Sequence, residues 1–179
     1  MKKFIYEYPT KVYFGEGVVR DHLAEAVSGY GKNVLLAYGG GSVKKNGIYD
    51  EVKSVLEGAG KTVFDFFGIM SNPTYAKVQE GARLAKDHGV DFILAVGGGS
   101  VIDCCKIVAA QGKTGEDLWE MEMEKHQYPA EVIPMGAIVT ASGTGAEMNG
   151  GAVITNDEKK IKTGMAAAAP RFAFLDPEY

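Results

Sequence analysis

The sequence predicts an α/β domain in which a mostly parallel sheet carries flanking helices. Apolar, strand-like runs alternate along the chain with patterns of helical length, as in βαβ units. Two of these runs, VLLAY and FILAV, are apolar throughout, as expected for strands covered on both faces. Each of the two is followed by GGGS, where a strand would turn sharply into a helix.

The individual elements follow from β-branched runs and from apolar residues at helical spacing. Asn72, Pro73 and Thr74 form a turn that opens a helix, and Gly89 is a suitable end for it. The predicted strands are 12–14, 34–38, 62–67, 92–96, 132–140, 152–155 and 172–175. The predicted helices are 18–27, 48–57, 74–88 and 101–111.

Three further segments lie between or after these elements. The acidic stretch 115–127 is predicted to be a solvated surface helix or loop, with Trp119 as a local packing anchor. The polar run NDEKK, 156–160, is predicted to be the turn of a hairpin. Four alanines before Pro170, in MAAAAPRF, predict a short helix or a tight connection over 165–172.

Size and charge restrict the class of protein. The 179 residues suffice for one domain with a real core, or at most two small ones. Hydrophobic residues make up 46% and charged residues 23%, as in ordinary globular proteins. Nineteen basic and 23 acidic residues give a net charge of −4, which argues against a nucleic-acid partner.

Cysteine usage and hydropathy indicate a cellular compartment. Cys104 and Cys105 are neighbours that rarely satisfy disulfide geometry, so both are expected to be reduced, packed thiols on a helix. The stretch MKKFIYEYPT lacks the apolar region of a signal peptide, and no segment approaches the length of a membrane span. We therefore expect a soluble, cytoplasmic protein without a membrane partner.

The two GGGS loops are the strongest functional signal. Each follows a strand of a predicted parallel sheet, and ligands bind at the carboxyl ends of such strands. Glycine lets an anion approach bare N–H groups, and the helix that follows adds a partly positive N-terminus, where Ser100 could cap or donate to phosphate. Two such loops favour one ligand with two phosphate-bearing regions, a dinucleotide. The alternative is that the glycines only make tight turns.

Neither loop has the usual dinucleotide signature GxGxxG, and the P-loop pattern GxxxxGK[ST] is also absent from the sequence. A third glycine-rich stretch, 139–155, follows the longest predicted strand and carries hydroxyls at Thr140, Ser142 and Thr144. It is predicted to form a third wall of the same crevice.

Three motifs together carry a resemblance: GGGSVIDCCK at 97–106, TASGTGAEMN at 140–149 and FLDPEY at 174–179. They resemble the iron-containing alcohol dehydrogenases, in the branch of NADPH-dependent butanol dehydrogenases and aldehyde reductases. The resemblance covers essentially the whole chain. It implies that residues 1–179 form a Rossmann-like dinucleotide-binding domain, as in dehydroquinate synthase and glycerol dehydrogenase. It also implies an all-helical domain that would lie outside this sequence.

The resemblance also implies a set of cofactor-binding residues. Residues 97–100 correspond to the pyrophosphate loop, and Asp103 corresponds to an aspartate near the nicotinamide, where it is also the candidate catalytic residue. Lys160 corresponds to a hairpin lysine that reaches the nicotinamide ribose, whereas the role of Lys106 stays open. The full predicted set is Gly39, Gly40, Gly41, Ser42, Asn72, Gly97, Gly98, Gly99, Ser100, Asp103, Thr140, Ser142, Thr144, Asn149, Lys160 and Tyr179.

The first glycine loop bears on the choice of cofactor. In the family this loop receives the adenosine ribose, and members that prefer NAD tend to have an acidic residue there. Here Gly39–Ser42 is neutral and is followed by Lys44 and Lys45, which suits the 2′-phosphate of NADP. NADP(H) is therefore favoured over NAD(H). The alternative is that the two lysines are ordinary solvated charges.

The metal expected of the family, Fe or Zn, is held by one aspartate and three histidines of the helical domain. His22, His88 and His126 are scattered over different predicted elements and make no such set, so no metal ligand is predicted in this chain. The chain by itself is expected to be inactive. Apolar surface that a helical domain would cover predicts self-association, and hence a homo-oligomer.

Three functions stay open at this point. The favoured one is the cofactor-binding half of an oxidoreductase that transfers hydride between NADPH and a small aldehyde or primary alcohol. The alternative is a stand-alone, non-catalytic nucleotide-binding or interaction module. A relative of the lyase branch, which uses NAD and a metal on a similar frame, is the weakest of the three, because SGTGAE matches the dehydrogenases.

Overall fold

The computed structural model describes residues 3–5 and 7–179. In these residues the strands are Lys11–Phe14, Asn33–Tyr38, Thr62–Phe66, Phe92–Gly97, Met135–Val139, Gly151–Asn156, Ile161–Ala166 and Phe172–Leu175, numbered β1 to β8. Six parallel strands form one sheet in the order β1-β8-β5-β4-β2-β3, and two antiparallel strands, β6 and β7, form a separate hairpin. The predicted α/β class with a mostly parallel sheet is confirmed.

In the described part of the chain five α-helices accompany the strands, and their bounds are Val18–Val27, Ser42–Lys45, Ile48–Gly58, Tyr75–Asp87 and Gly99–Gln111, numbered α1 to α5. The predicted strands and helices all form, with ends that shift by a few residues. The helix α2 was not predicted, because its four residues are too few to show a helical period. Gly41 and Gly47, both with positive φ, separate it from the neighbouring elements. The strand predicted over 132–140 is shorter, Met135–Val139, and follows Pro134.

The sheet divides the core into two layers. Alternate side chains of each strand point to opposite faces, so Leu36 and Leu94 pack with α1 and α3 while Leu35 and Ile93 pack with α4 and α5. Strands β2, β4 and β5 are buried along nearly their whole length. Their uninterrupted apolar runs are thus explained by coverage on both faces.

One local prediction is decided between its alternatives and another needs correction. Of the short helix and the tight connection predicted over 165–172, the connection forms: β7 runs to Ala166 and an irregular segment leads to Phe172, because pairing with β6 fixes the first residues as strand. The segment 115–127 is less solvated than expected, since Leu118, Trp119 and Glu122 are buried around a π-helical turn, Glu120–Glu124. Trp119 does serve as the predicted packing anchor, against Tyr75.

Other local predictions are confirmed. Thr74 caps α4, its hydroxyl accepting from the amide of Lys77 at 3.2 Å, and residues 157–160 form the turn between β6 and β7. Cys104 and Cys105 are free thiols buried in α5. Burial raises the pKa of the Cys104 thiol to about 12. Over residues 3–5 and 7–179, none of the helices has the length and apolarity needed to cross a bilayer.

Candidate functional site

The candidate site lies at the carboxyl edge of the sheet, where the strand order reverses. Strands β2 and β4 are neighbours, but the chain leaves β2 toward α3 on one face and leaves β4 toward α5 on the other. Loops that diverge in this way leave a crevice, the usual ligand site of an open parallel sheet. Both GGGS stretches open onto this point, as the sequence predicts.

The second glycine loop is shaped by close packing against its own helix. A side chain on Gly97 would place Cβ 2.6 Å from Cγ2 of Val101, so only glycine fits. Gly98 is the N-cap residue of α5, and no side chain caps the helix. The first amides of this thirteen-residue helix are therefore open to an anion, with the helix dipole adding to the attraction.

The first glycine loop, Gly39 to Gly41, adjoins the second. A side chain on Gly39 would lie 3.2 Å from the carbonyl oxygen of Ile69 and 3.9 Å from Val101 on α5. Gly41 has φ +111°, a conformation that favours glycine, whereas a side chain on Gly40 would meet open space. Ser42 begins α2. The loop backbone is thus closely packed at Gly39, whereas the space next to Gly40 is open.

A cavity of about 380 Å³, here named the α5 cavity, opens beside the N-terminus of α5. Ser100 and Asp103 line it from the helix, and Lys162 lines it from β7. The ammonium of Lys162 donates to Oδ1 of Asn72 at 2.5 Å, which joins two walls of the cavity. The other lining residues are Pro73, Gly99, Ala141, Ser142, Gly143, Thr144 and Val153.

A second cavity of about 500 Å³, named the β8 cavity, lies beyond the ends of β1, β5 and β8. Thr140 and Tyr179 line it together with Phe14, and the Tyr179 hydroxyl donates to Glu51 on α3 at 2.9 Å. Ala141 and Ser142 line both cavities, so the two adjoin along the third glycine-rich loop. The uncapped N-terminus of α5 opens into the α5 cavity, where Gly99 and Ser100 line it.

Asp103 and Lys106, one turn apart on α5, anchor the third loop and the hairpin. Oδ2 of Asp103 accepts from the amide of Val153 at 3.0 Å, and Oδ1 lies 3.7 Å from the Lys106 ammonium. That ammonium donates to Oδ1 of Asn149 at 3.0 Å and to the carbonyl of Gly151 at 2.7 Å. Lys106 is fully buried, and the desolvation lowers its pKa, while Asp103 opposes the shift.

Some residues of the predicted set lie outside both cavities. Asn149 is engaged elsewhere: it holds Lys106, and its amide nitrogen donates to the carbonyl of Gly145 at 2.8 Å. Lys160 is an exposed residue of the β6–β7 turn with φ +55°. Gly39, Gly40, Gly41, Ser42, Gly97 and Gly98 form the loops beside the cavities. The cofactor roles of all these residues stay predictions.

Several residues that line the two cavities are absent from the predicted set, and three of them carry functional groups or come from the hairpin. Val153 and Lys162 line the α5 cavity because the hairpin folds across α5, and only the register of β6 against β7 reveals which side chains face inward. Asp176, in the FLDPEY motif, lines the β8 cavity although its carboxylate is buried. Its position after β8 was the available signal, since charged residues at strand ends are candidates for such sites.

A cluster of aromatic and charged groups supports the first loop from the α3 face. The Lys44 ammonium lies 5.1 Å from the ring centroid of Tyr38 and 4.4 Å from that of Tyr49. The Tyr49 hydroxyl donates to Asp65 at 2.9 Å. Lys44 is therefore a cation held next to the Gly39–Ser42 loop.

The chain does not offer a metal site where the structure describes it. Over residues 3–5 and 7–179, no three His, Cys, Asp or Glu side chains come together in a way that could hold a metal ion. The donors present thus do not fit the metal that the family resemblance implies. No step on an alcohol or aldehyde oxygen follows from these residues.

Comparison with known proteins decides the family. The family model described as iron-containing alcohol dehydrogenase matches residues 9–177, nearly the entire chain. The chain belongs to the iron-containing alcohol dehydrogenase family. The resemblance carried by the three motifs is confirmed.

Relatives in this family bear names with either nicotinamide cofactor. The chain is 48% identical to the probable NADH-dependent butanol dehydrogenase 1 of Bacillus subtilis, over 99% of the chain and 46% of that protein. It is 38% identical to the NADPH-dependent aldehyde reductase YqhD of Escherichia coli, over 100% of the chain and 46% of that protein. The chain spans about half the length of the curated relatives that it matches.

Solved structures of family members have the same fold. The NADH-dependent butanol dehydrogenase A of Thermotoga maritima superposes with a TM-score of 0.90 at 39% identity. The superposition covers 99% of this chain and 45% of the other. The parallel sheet with flanking helices is thus the fold of the matching part of that enzyme.

Proposed function

We propose that this chain binds a nicotinamide dinucleotide as the cofactor-binding part of an NADP(H)-dependent alcohol dehydrogenase or aldehyde reductase. The observation that carries the proposal is the pair of adjoining cavities, with the uncapped N-terminus of α5 opening into one of them. A dinucleotide needs two sites for its bases and an anion site between them. The family membership supports the same assignment.

The proposed placement follows the chemistry of each region. The pyrophosphate would bind the amides of Gly99 and Ser100, and the nicotinamide end would occupy the α5 cavity beside Asp103. The adenine would lie in the β8 cavity, against Thr140 and Tyr179. The adenosine ribose would then face the first glycine loop. This chain's share in catalysis would be to hold and orient the cofactor.

The preference for NADP(H) is part of the proposal. The loop Gly39–Ser42 contains no carboxylate that would repel a 2′-phosphate, and Lys44 is held beside it. The relatives' names include both cofactors, so the loop chemistry is the argument for NADP(H). The substrates we propose for the whole protein are small aldehydes and primary alcohols.

The test is a titration of the purified chain with NADPH and, separately, NADH, following nicotinamide fluorescence. We expect saturable binding of both, with NADPH the tighter. Gly40→Asp places a carboxylate in the open space of the first loop and should weaken NADPH binding about tenfold or more while leaving NADH binding nearly unchanged. Gly115→Asp adds the same charge in open space away from both cavities, as the matched control.

The outcomes separate the parts of the proposal. Absence of binding of either cofactor by the wild-type chain would overturn cofactor binding itself. Tighter binding of NADH than of NADPH, or an equal effect of G40D on the two, would overturn only the assignment of the 2′-phosphate to this loop.

A further inference from the structure

Among the residues that the structure describes, Lys106 is a fully buried lysine, and it lies one helical turn from Asp103, which lines the α5 cavity. Its ammonium has two neutral acceptors, Oδ1 of Asn149 at 3.0 Å and the carbonyl of Gly151 at 2.7 Å. Asp103, which lines the cavity, is its ion-pair partner at 3.7 Å. Glu147 is the other carboxylate whose charge acts on it. Burying an ammonium is costly, so a packed apolar residue would be the cheaper way to fill this position.

The local structure has other supports that do not involve the ammonium. Oδ1 of Asn149 also accepts from the amide of Gly151 at 3.1 Å, and its amide nitrogen donates to Gly145 at 2.8 Å. Asp103 keeps its bond from Val153 at 3.0 Å. What Lys106 alone supplies is a positive charge behind Asp103.

We propose that Lys106 is a positioning residue that orients the Asp103 carboxylate and compensates its charge, and so sets the balance between oxidised and reduced cofactor in the α5 cavity. The inference rests on the proposed function, in which the nicotinamide occupies that cavity. The oxidised nicotinamide ring carries one positive charge, and the reduced ring carries none. An uncompensated carboxylate beside the ring would therefore favour the oxidised form, whereas the Asp103–Lys106 pair is neutral as a whole.

The test measures the ratio of the dissociation constants for NADP⁺ and NADPH near neutral pH, NADP⁺ by competition against NADPH fluorescence. Lys106→Met keeps most of the side-chain volume and removes the charge. We expect this variant to bind NADP⁺ more tightly relative to NADPH, with a change in the ratio of about threefold or more. The double variant D103N/K106M is neutral again and should return the ratio to the wild-type value.

A purely structural role of Lys106 predicts a different pattern. Loss of packing would weaken both cofactors by the same factor, and the double variant would not recover. Lys86→Met is the matched control, because this lysine of α4 also donates to a backbone carbonyl, Thr114 at 2.8 Å, but lies outside both cavities. It should leave the ratio unchanged.

The single variant D103N keeps the inference testable where K106M fails to fold. It leaves the buried ammonium uncompensated, and the ratio should then move in the opposite direction, toward NADPH. An unchanged ratio in both single variants, with wild-type binding intact, would overturn the inference and leave the proposed function standing. A wild-type chain that binds neither form would overturn both.

Discussion

At the scale of single residues, the buried charges are stabilised in different ways. Lys106 has two acceptors and a carboxylate. Asp176 accepts from the amide of Glu178 at 3.1 Å with one oxygen, and Glu122 accepts from the amide of Ala166 at 2.8 Å. The second carboxylate oxygen of each has no hydrogen-bond partner among the described residues. A single substitution of such a group is expected to change the free energy of unfolding by a measurable amount.

The residue-scale prediction concerns Glu122. Burial raises the pKa of the Glu122 carboxyl in the folded protein. The stability that the protonated carboxyl contributes is therefore fully present below the pKa of the unfolded chain, 4.5, and is lost as the pH rises through the folded pKa. Glu122→Gln keeps an acceptor for Ala166 and removes the buried charge. At pH 7 it should raise the free energy of unfolding by about 1 kcal/mol.

Urea unfolding at a series of pH values checks this expectation. The gain should shrink as the pH falls and vanish in acid, where the wild-type carboxyl is protonated. Glu124→Gln is the control: this carboxylate is exposed, pairs with Lys159 at 2.6 Å, and should change stability by less than about 0.5 kcal/mol. A gain that does not depend on pH would contradict the explanation by charge.

At the scale of elements, the junction of β4 with α5 is the most constrained part of the fold. The strand ends at Gly97 and the helix begins at Gly99, so the chain reverses direction around Gly98 within three glycines. Thr140 donates its amide to the Gly97 carbonyl at 3.1 Å, which joins the end of β5 to the same junction. The uncapped amides of α5 depend on this geometry.

The element-scale prediction is that Gly97→Ala moves the start of α5. Its Cβ would lie 2.6 Å and 2.9 Å from two atoms of Val101, so strand and helix must separate, at a cost of about 1–3 kcal/mol in unfolding free energy. Urea unfolding measures the loss. Gly58→Ala, in open space at the end of α3, should instead be neutral or stabilising by about 0.5 kcal/mol. Equal effects of the two would refute the packing argument.

At the scale of the whole molecule, the sheet ends at two open edges. In the part of the chain that the structure describes, β1 pairs with β8 alone and β3 with β2 alone. On β1, Val12 is 42% exposed and Phe14 is 76% exposed. An apolar edge strand is a template for pairing with another chain. This edge gives a physical basis to the homo-oligomer that the sequence predicts.

The molecular-scale prediction is that the chain self-associates through β1. Val12→Lys, a charge on the edge strand, should shift the population toward monomer in size-exclusion chromatography with light scattering over a dilution series. Ile161→Lys is the control, because this residue of β7 has a similar exposure, 46%, but lies on the separate hairpin. A wild-type chain that is monomeric throughout, or equal effects of both variants, would contradict the prediction.

How much could be predicted from sequence varied with the range of the interactions. The strands VLLAY and FILAV, the helix that starts after Thr74 and the hairpin turn at 157–160 were predictable, because they depend on local periodicity, capping and turn chemistry. For 165–172 the sequence left a short helix and a tight connection open, and pairing of β7 with β6 decided for the connection against the helical preference of alanine.

The sequence by itself determined the fold class, the two glycine loops and the family, because each resides in short motifs and their spacing. Only the tertiary structure decided that Lys162 rather than Lys160 lines the α5 cavity, and that Lys106 is buried behind Asp103. These facts depend on how the hairpin crosses α5, with contacts between residues some 45 positions apart. No local pattern encodes such a distant register, so it emerges only when the chain is folded.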